Sequence, residues 1–320
     1  MRTAFIQALI EQARVDKRIF LLVGDLGYSV VEPFRQEFPD RFINVGVAEQ
    51  NMTGIATGLA LSGKVVFTYS IANFPTLRCL EQIRNDVCYH EANVKIVAVG
   101  GGFSYGAQGM THHATQDLAI MRALPNMIVI APGDPVEAAL ATRAVAKWPG
   151  PCYMRLGKAQ EPVVHKTSPD FQIGKAIVVR EGSDVTLITT GGILFNTVQV
   201  AERLAQQGIQ ARVLSMPTIK PLDTEAVLAA ARQTKAIVTV EEHSMIGGLG
   251  SAVAEVLAEL GNSHVTFRRI GIKDEFCQQV GSQEYLRGIY GLSVDGIVEV
   301  VRSLRKRCTN EHSSASNYGT

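Results

Sequence analysis

Long hydrophobic runs are missing. No stretch reaches the ~18 consecutive apolar residues that a membrane-crossing helix needs. Nor is there an excess of one charge: 31 basic side chains face 30 acidic ones, which gives no electrostatic footprint for nucleic acid or an anionic membrane surface. Cysteine is sparse. The five present, Cys79, Cys88, Cys152, Cys277 and Cys308, are odd in number, scattered and without a C-x-x-C pair, which argues against a disulfide framework or zinc site and for reduced thiols. The opening residues, Met1-Arg2-Thr3-Ala4-Phe5, run into a helical pattern with no apolar core of a secretion signal. What remains is an expected cytoplasmic protein whose partners are small molecules or other proteins.

What is present is alternation. Short apolar runs rich in β-branched residues are separated by longer segments of helical period, the pattern of an α/β protein with parallel sheets wrapped by helices. At 320 residues the chain has room for two such domains. Strands are expected over 19–23, 42–45, 64–69, 94–99, 127–130 and 152–155. A polar, proline-containing stretch over 158–172 breaks the rhythm, which then restarts with strands over 185–190, 210–214, 236–241 and 265–270. Domains are therefore placed at 1–165 and 172–308. Residues 309–320, rich in Ser, Asn, Gly and His, are expected to be a disordered tail.

The most informative stretch is Gly46-Val47-Ala48-Glu49-Gln50, which leads from a strand into a helix of small residues that includes Gly54, Ala56, Gly58 and Ala60. A glutamate in the first turn is favoured by the helix dipole alone. Here the small residues allow close packing around that turn, and a buried carboxylate calls for a hydrogen-bonding partner. A second candidate is the glycine-rich loop Gly106-Ala107-Gln108-Gly109-Met110-Thr111-His112-His113, which follows a strand and so lies at the sheet edge where open α/β folds bind ligands. Between the two lies Tyr69-Ser70-Ile71-Ala72-Asn73-Phe74.

These stretches resemble the transketolase superfamily over residues 1–305, corresponding to the pyrimidine-binding and carboxyl-terminal domains. The resemblance implies a two-carbon ketol transfer from a ketose to an aldehyde, with thiamine diphosphate as cofactor. Glu49 would share a proton with the aminopyrimidine and so activate the cofactor. His112 would contact the donor. Phe74, with Tyr69 as a neighbour, would pack on the pyrimidine ring, although a phenylalanine at a strand end is also an ordinary core residue. Asp25 and Ser29, in Gly24-Asp25-Leu26-Gly27-Tyr28-Ser29, match residues near the cofactor and the sugar phosphate. Arg155 matches an arginine that grips the phosphate, with Arg2 as a further one; an interface ion pair is the plainer reading of Arg155. Gln108 and His113 fall at substrate-facing positions of the loop.

Two departures bear on substrate and assembly. Glycine, near Gly100-Gly101, stands where the family carries a phosphate-binding histidine, and Gln108 replaces an aspartate that reads a sugar hydroxyl, so the expected donor is a sugar or sugar phosphate other than the usual pentose phosphate. The family's G-D-G magnesium motif is absent. The Mg²⁺ ligands are then expected from a second subunit, with two copies of each chain in a heterotetramer. The Gly-Gly-x-Gly run at 247–250, with His243 before it, is read as structural. Two alternatives are a beta chain of a 2-oxoacid or acetoin dehydrogenase, and a non-catalytic α/β binding module.

Overall fold

The computed structural model describes residues 1–260 and 265–315, with side chains described as far as residue 304. The first domain contributes β1 (Ile19–Val23), β2 (Phe42–Asn44), β3 (Val65–Ile71), β4 (Val94–Val99), β5 (Ile128–Ile130) and β6 (Cys152–Leu156). The second contributes β7 (Ile177–Arg180), β8 (Val185–Thr189), β9 (Ala211–Ser215), β10 (Thr218–Lys220), β11 (Ala236–Ser244) and β12 (Thr266–Ile272). They form a seven-stranded sheet in the order β10-β5-β6-β4-β3-β1-β2 and a five-stranded sheet in the order β12-β11-β8-β9-β7. All pairings are parallel except β10 with β5 and β7 with β9. Those two edge strands are the ones outside the expected set: β10 is three residues long, and β7, although it carries the apolar run Ile177-Val178-Val179, is buried only at its first position.

Period-two alternation sorts the first sheet's side chains onto two cores. Along β3, Val65, Phe67 and Tyr69 pack with Phe5, Leu9 and Val145 of the helices Arg2–Val15 and Pro135–Lys147. Val66 points the other way, to Met52 and Ala56 of the helix Glu49–Leu61. Parallel pairing brings the carboxyl ends of β1, β3, β4 and β6 to one edge. The turns after them, which carry the chemistry-bearing residues, are therefore neighbours. No helix among the described residues is long and apolar enough to cross a membrane. The last helix runs Val294–Ala315, so residues 309–315 are helical where an irregular tail is expected; the remainder of that expected tail, 316–320, lies outside the described residues.

The second domain reaches into the first. Its strand β10 lies against β5, with Thr218 opposite Ile130 and Lys220 opposite Val129. Glu241 accepts the backbone N–H groups of Leu249 and Gly250, each at 2.8 Å, so its own carboxylate fills the glycine-rich helix start. His243 is fully buried at the junction: its Nδ1 lies 2.8 Å from the Ser244 carbonyl, and Ala119 of the first domain donates its N–H to Nε2 at 3.4 Å. These contacts suit the neutral ring. Burial is the main cause that lowers the His243 pKa to about 4, with Asp117 opposing and Arg155 reinforcing the shift.

A histidine whose folded pKa lies below its unfolded value supports the fold above about pH 6.5 and loses that support as pH falls toward 4. Glu241, raised by burial to about 7, works in the opposite direction as pH rises from its ordinary 4.5, so the bare stability curve mixes the two. Comparing wild type with His243→Gln by thermal melting isolates the histidine. The wild-type advantage is expected to shrink by up to ~1.4 kcal/mol per pH unit below pH 6.5. A difference constant from pH 7 to 4.5 would rule out this coupling.

Candidate active site

Glu49 opens its helix and is fully buried. The side chain lies against the end of β1, where a Cβ at Gly24 would come within 3.3 Å of Oε1. One carboxylate oxygen accepts the Ser70 hydroxyl at 3.1 Å, and the other accepts Nη1 of Arg78 at 2.8 Å. The Arg78 side chain is 46% exposed, and its guanidinium carbon lies 4.9 Å from the centroid of the Phe74 ring. A flat N–H donor thus sits on an aromatic face and points at a buried carboxylate. The Phe74 ring meets the His112 ring edge-on at 5.2 Å, and Tyr105 flanks His112 on a further side at 6.2 Å.

The loop carrying His112 is pinned at both its ends. Gly102 and Ala114 exchange backbone hydrogen bonds of 2.8 and 3.0 Å. Nδ2 of Asn73 donates to the carbonyls of Thr111 and His113 at 3.0 and 2.9 Å. From the second domain, Glu242 accepts the Phe103 N–H at 2.5 Å, and a Cβ at Gly102, where φ is +62°, would collide with that carboxylate. Partial burial and the neighbouring His113 both depress the His112 pKa, which favours a neutral imidazole at pH 7.

The structure brings Glu49, Phe74 and His112 together, with Asp25 and Ser29 on an adjoining turn. Asp25 is tied to Asn44 by two hydrogen bonds and, like Ser29, has positive φ. Four expectations fare differently. Tyr69 points to the sheet face opposite Ser70, stacked on Phe5 at 5.9 Å, because consecutive strand residues alternate. His113 is buried against Phe103 with Nε2 toward the Gly106 carbonyl, inside the loop and not facing the cleft. Gln108 is exposed at the tip of the loop. Arg155 is buried at the domain junction, where Nη2 donates to the carbonyls of Ala114 and Glu242 and Nε faces Asp117 at 3.5 Å. It borders a separate interdomain cavity of about 350 Å³ lined also by Asn196, Glu242, Gln283 and Arg287. Arg78, Ser70 and Asn73 are the residues that sequence reasoning misses. The signal for Arg78 is its place four residues after Phe74, within reach of that ring.

The transketolase pyrimidine binding domain profile matches residues 1–162, and the transketolase C-terminal domain profile matches residues 174–297. The chain belongs to the transketolase family. It is 41% identical over 308 residues to a subunit of the apulose-4-phosphate transketolase of Phocaeicola vulgatus, covering 96% of this chain and 97% of that one. It is also 41% identical to the 6-deoxy-6-sulfo-D-fructose transketolase subunit SqwH of Clostridium sp. (strain MSTE9), covering 96% and 95%. Among solved structures it resembles one described as a split gene transketolase, inactive beta4 tetramer, with a TM-score of 0.87, 40% identity and coverage of 94% of this chain and 97% of that one. These relatives match the chain over nearly its whole length, so it corresponds to the section carrying the pyrimidine-binding and C-terminal domains.

The Arg78–Glu49 pair can be measured. A pair with one half-exposed member is worth less than a fully buried one, and Arg78→Ala is expected to destabilise the isolated chain by ~1–2 kcal/mol. In a Glu49→Gln background the same change should cost less than half as much in urea unfolding. Equal losses in both backgrounds would show that the pair is not coupled.

Proposed function

We propose that the chain is the catalytic-glutamate subunit of a split, thiamine-diphosphate-dependent transketolase that moves a two-carbon ketol unit from a ketose to an aldehyde. The observation that carries this reading is the buried Glu49 carboxylate facing, across Arg78, the ring of Phe74. The space between them already holds a flat, N–H-donating group, and an aminopyrimidine is likewise flat and, once protonated at its ring nitrogen, likewise an N–H donor. Glu49 would hold a proton at the ring nitrogen, Phe74 would pack on the ring, and Arg78 would swing into solvent to admit it. Bound there, thiamine diphosphate would supply nucleophilic carbon chemistry toward the donor's carbonyl. His112, braced by the Phe74 ring and the Asn73-held loop, would give or take the proton of the donor's hydroxyl. Asp25 and Ser29, on the turn after β1, would border the cofactor and the sugar.

Two relatives are named as subunits, and the aligned solved structure as a split gene product. This supports a second chain that brings the diphosphate and Mg²⁺ ligands, joined as two copies of each. Exposed Tyr28, Val47, Leu77 and Met110 around the site provide apolar surface for that partner. The relatives' names specify an apulose phosphate and a sulfonated fructose, in keeping with a donor other than an ordinary pentose phosphate.

Glu49→Gln preserves size and removes the shared proton. Turnover by the assembled enzyme is expected to fall ~10²–10⁴-fold with assembly intact by gel filtration; activity above half of wild type would remove Glu49 from the mechanism. The isolated chain is expected to bind thiamine diphosphate negligibly by calorimetry, and its partner to restore both binding and activity. Tight magnesium-dependent binding by the chain alone would overturn the split-site reading.

A further inference from the structure

We infer that Arg78 is a two-position gate on the pocket beside Glu49, with Glu49 as its closed stop and Glu81 as its open one. The inference rests on the cofactor reading of Glu49 and adds how access to that carboxylate is controlled. In the closed position Nη1 of Arg78 donates to Glu49 at 2.8 Å and the guanidinium covers the Phe74 ring. A buried carboxylate stripped of its cation is costly, so the gate of an empty site rests closed. The side chain is nevertheless 46% exposed, and nothing but this pair and the ring contact holds its tip.

The backbone under Arg78 is fixed while its side chain is not. The 3-10 helix Leu77–Cys79 passes into a single α turn, Leu80–Gln82, and then a π-helical turn, Ile83–Cys88. Cys79, Ile83 and Val87 are buried in the core shared with Met52 and Ala56 of the Glu49 helix, and the Cys79 thiol donates to the Phe74 carbonyl at 3.3 Å. Leu77, Arg78 and Glu81 are exposed. Residues three apart eclipse one another in a 3-10 turn and are neighbours on an α-helix. Glu81 is thus one turn along from Arg78, and helical side chains lean toward the amino end, which tilts its carboxylate back toward the arginine. Glu81 is in no ion pair among the described residues. A guanidinium displaced from Glu49 by a protonated ring nitrogen therefore has an acceptor waiting on its own helix.

The test follows thiamine diphosphate association by stopped flow, with the chain assembled with its partner and Mg²⁺. Arg78→Ala removes the gate and is expected to speed association about 10-fold. Glu81→Gln removes the open stop and is expected to slow it about 2-fold. Loss of a negative charge would by itself favour an anionic ligand, so the sign separates the gate from a bulk charge effect. In the Arg78→Ala background, Glu81→Gln should slow nothing. A readout free of cofactor comes from the isolated chain: the Arg78 Nε–H resonance, assigned by its loss in Arg78→Lys. It is expected to move in Glu49→Gln and, in that background, to move again on Glu81→Gln. An assembly that takes up no thiamine diphosphate while both shifts occur would sink the cofactor reading and keep the two-position arginine. A resonance in Glu49→Gln that ignores Glu81→Gln, or slowing by Glu81→Gln that is equal with and without Arg78, would overturn the gate.

Discussion

A carboxylate removed from water needs partners, and the surroundings of Glu49 are arranged around that requirement. Its desolvation is tolerated because Ser70 and Arg78 each donate to one oxygen. Ser70 comes from the strand beside it, and Arg78 from the short 3-10 helix Leu77–Cys79 that follows Phe74. The same two donors thereby fix the path of the chain between β3 and the next helix. The absence of a side chain at Gly24 lets the carboxylate lie against the end of β1. Fold and chemistry meet in that one group: moving it would unsettle three adjoining segments.

The second domain influences this site without touching Glu49. Glu242 is the intermediary. It accepts from Phe103 in the His112 loop and from Gln283 and Arg287 in its own domain, so the base of the loop is held by a carboxylate that is itself satisfied. Arg155 adds donations to carbonyls on both sides of the junction. The loop that carries His112 is consequently braced from both domains, and the placement of His112 depends on both halves.

Much of this could be read from the residues alone. Nearly every strand of the two sheets has a β-branched apolar run, and Glu49, Phe74 and His112 sit in motifs with local signatures. What escaped has physical reasons. The three-residue strand β10 has no periodicity to detect, and β7, at the edge of the other sheet, is a four-residue strand whose apolar run Ile177-Val178-Val179 is short and directly follows the polar stretch. Tyr69 and Ser70 are neighbours in sequence, and only the register of β3 decides which of them faces Glu49. His112 and His113 pose the same problem in a loop, where the decision comes from Asn73 and Phe103, outside the motif that carries them. Arg155 reads equally well as an anion clamp or an interface residue until its acceptors are seen.

The two profile matches divide the chain near residue 170, but the backbone does not divide there. Strand β10 completes the edge of the first sheet, with the Ala131 N–H bonded to the Pro217 carbonyl and Gly191 bonded back to Ala131. A chain cut between the two regions would strip β5 of its outer neighbour and leave a row of unpaired N–H and C=O groups, a template for edge-to-edge aggregation. What looks in sequence like a pair of interchangeable modules thus shares one sheet. Recombination with another protein's C-terminal domain would have to import a strand of the same register.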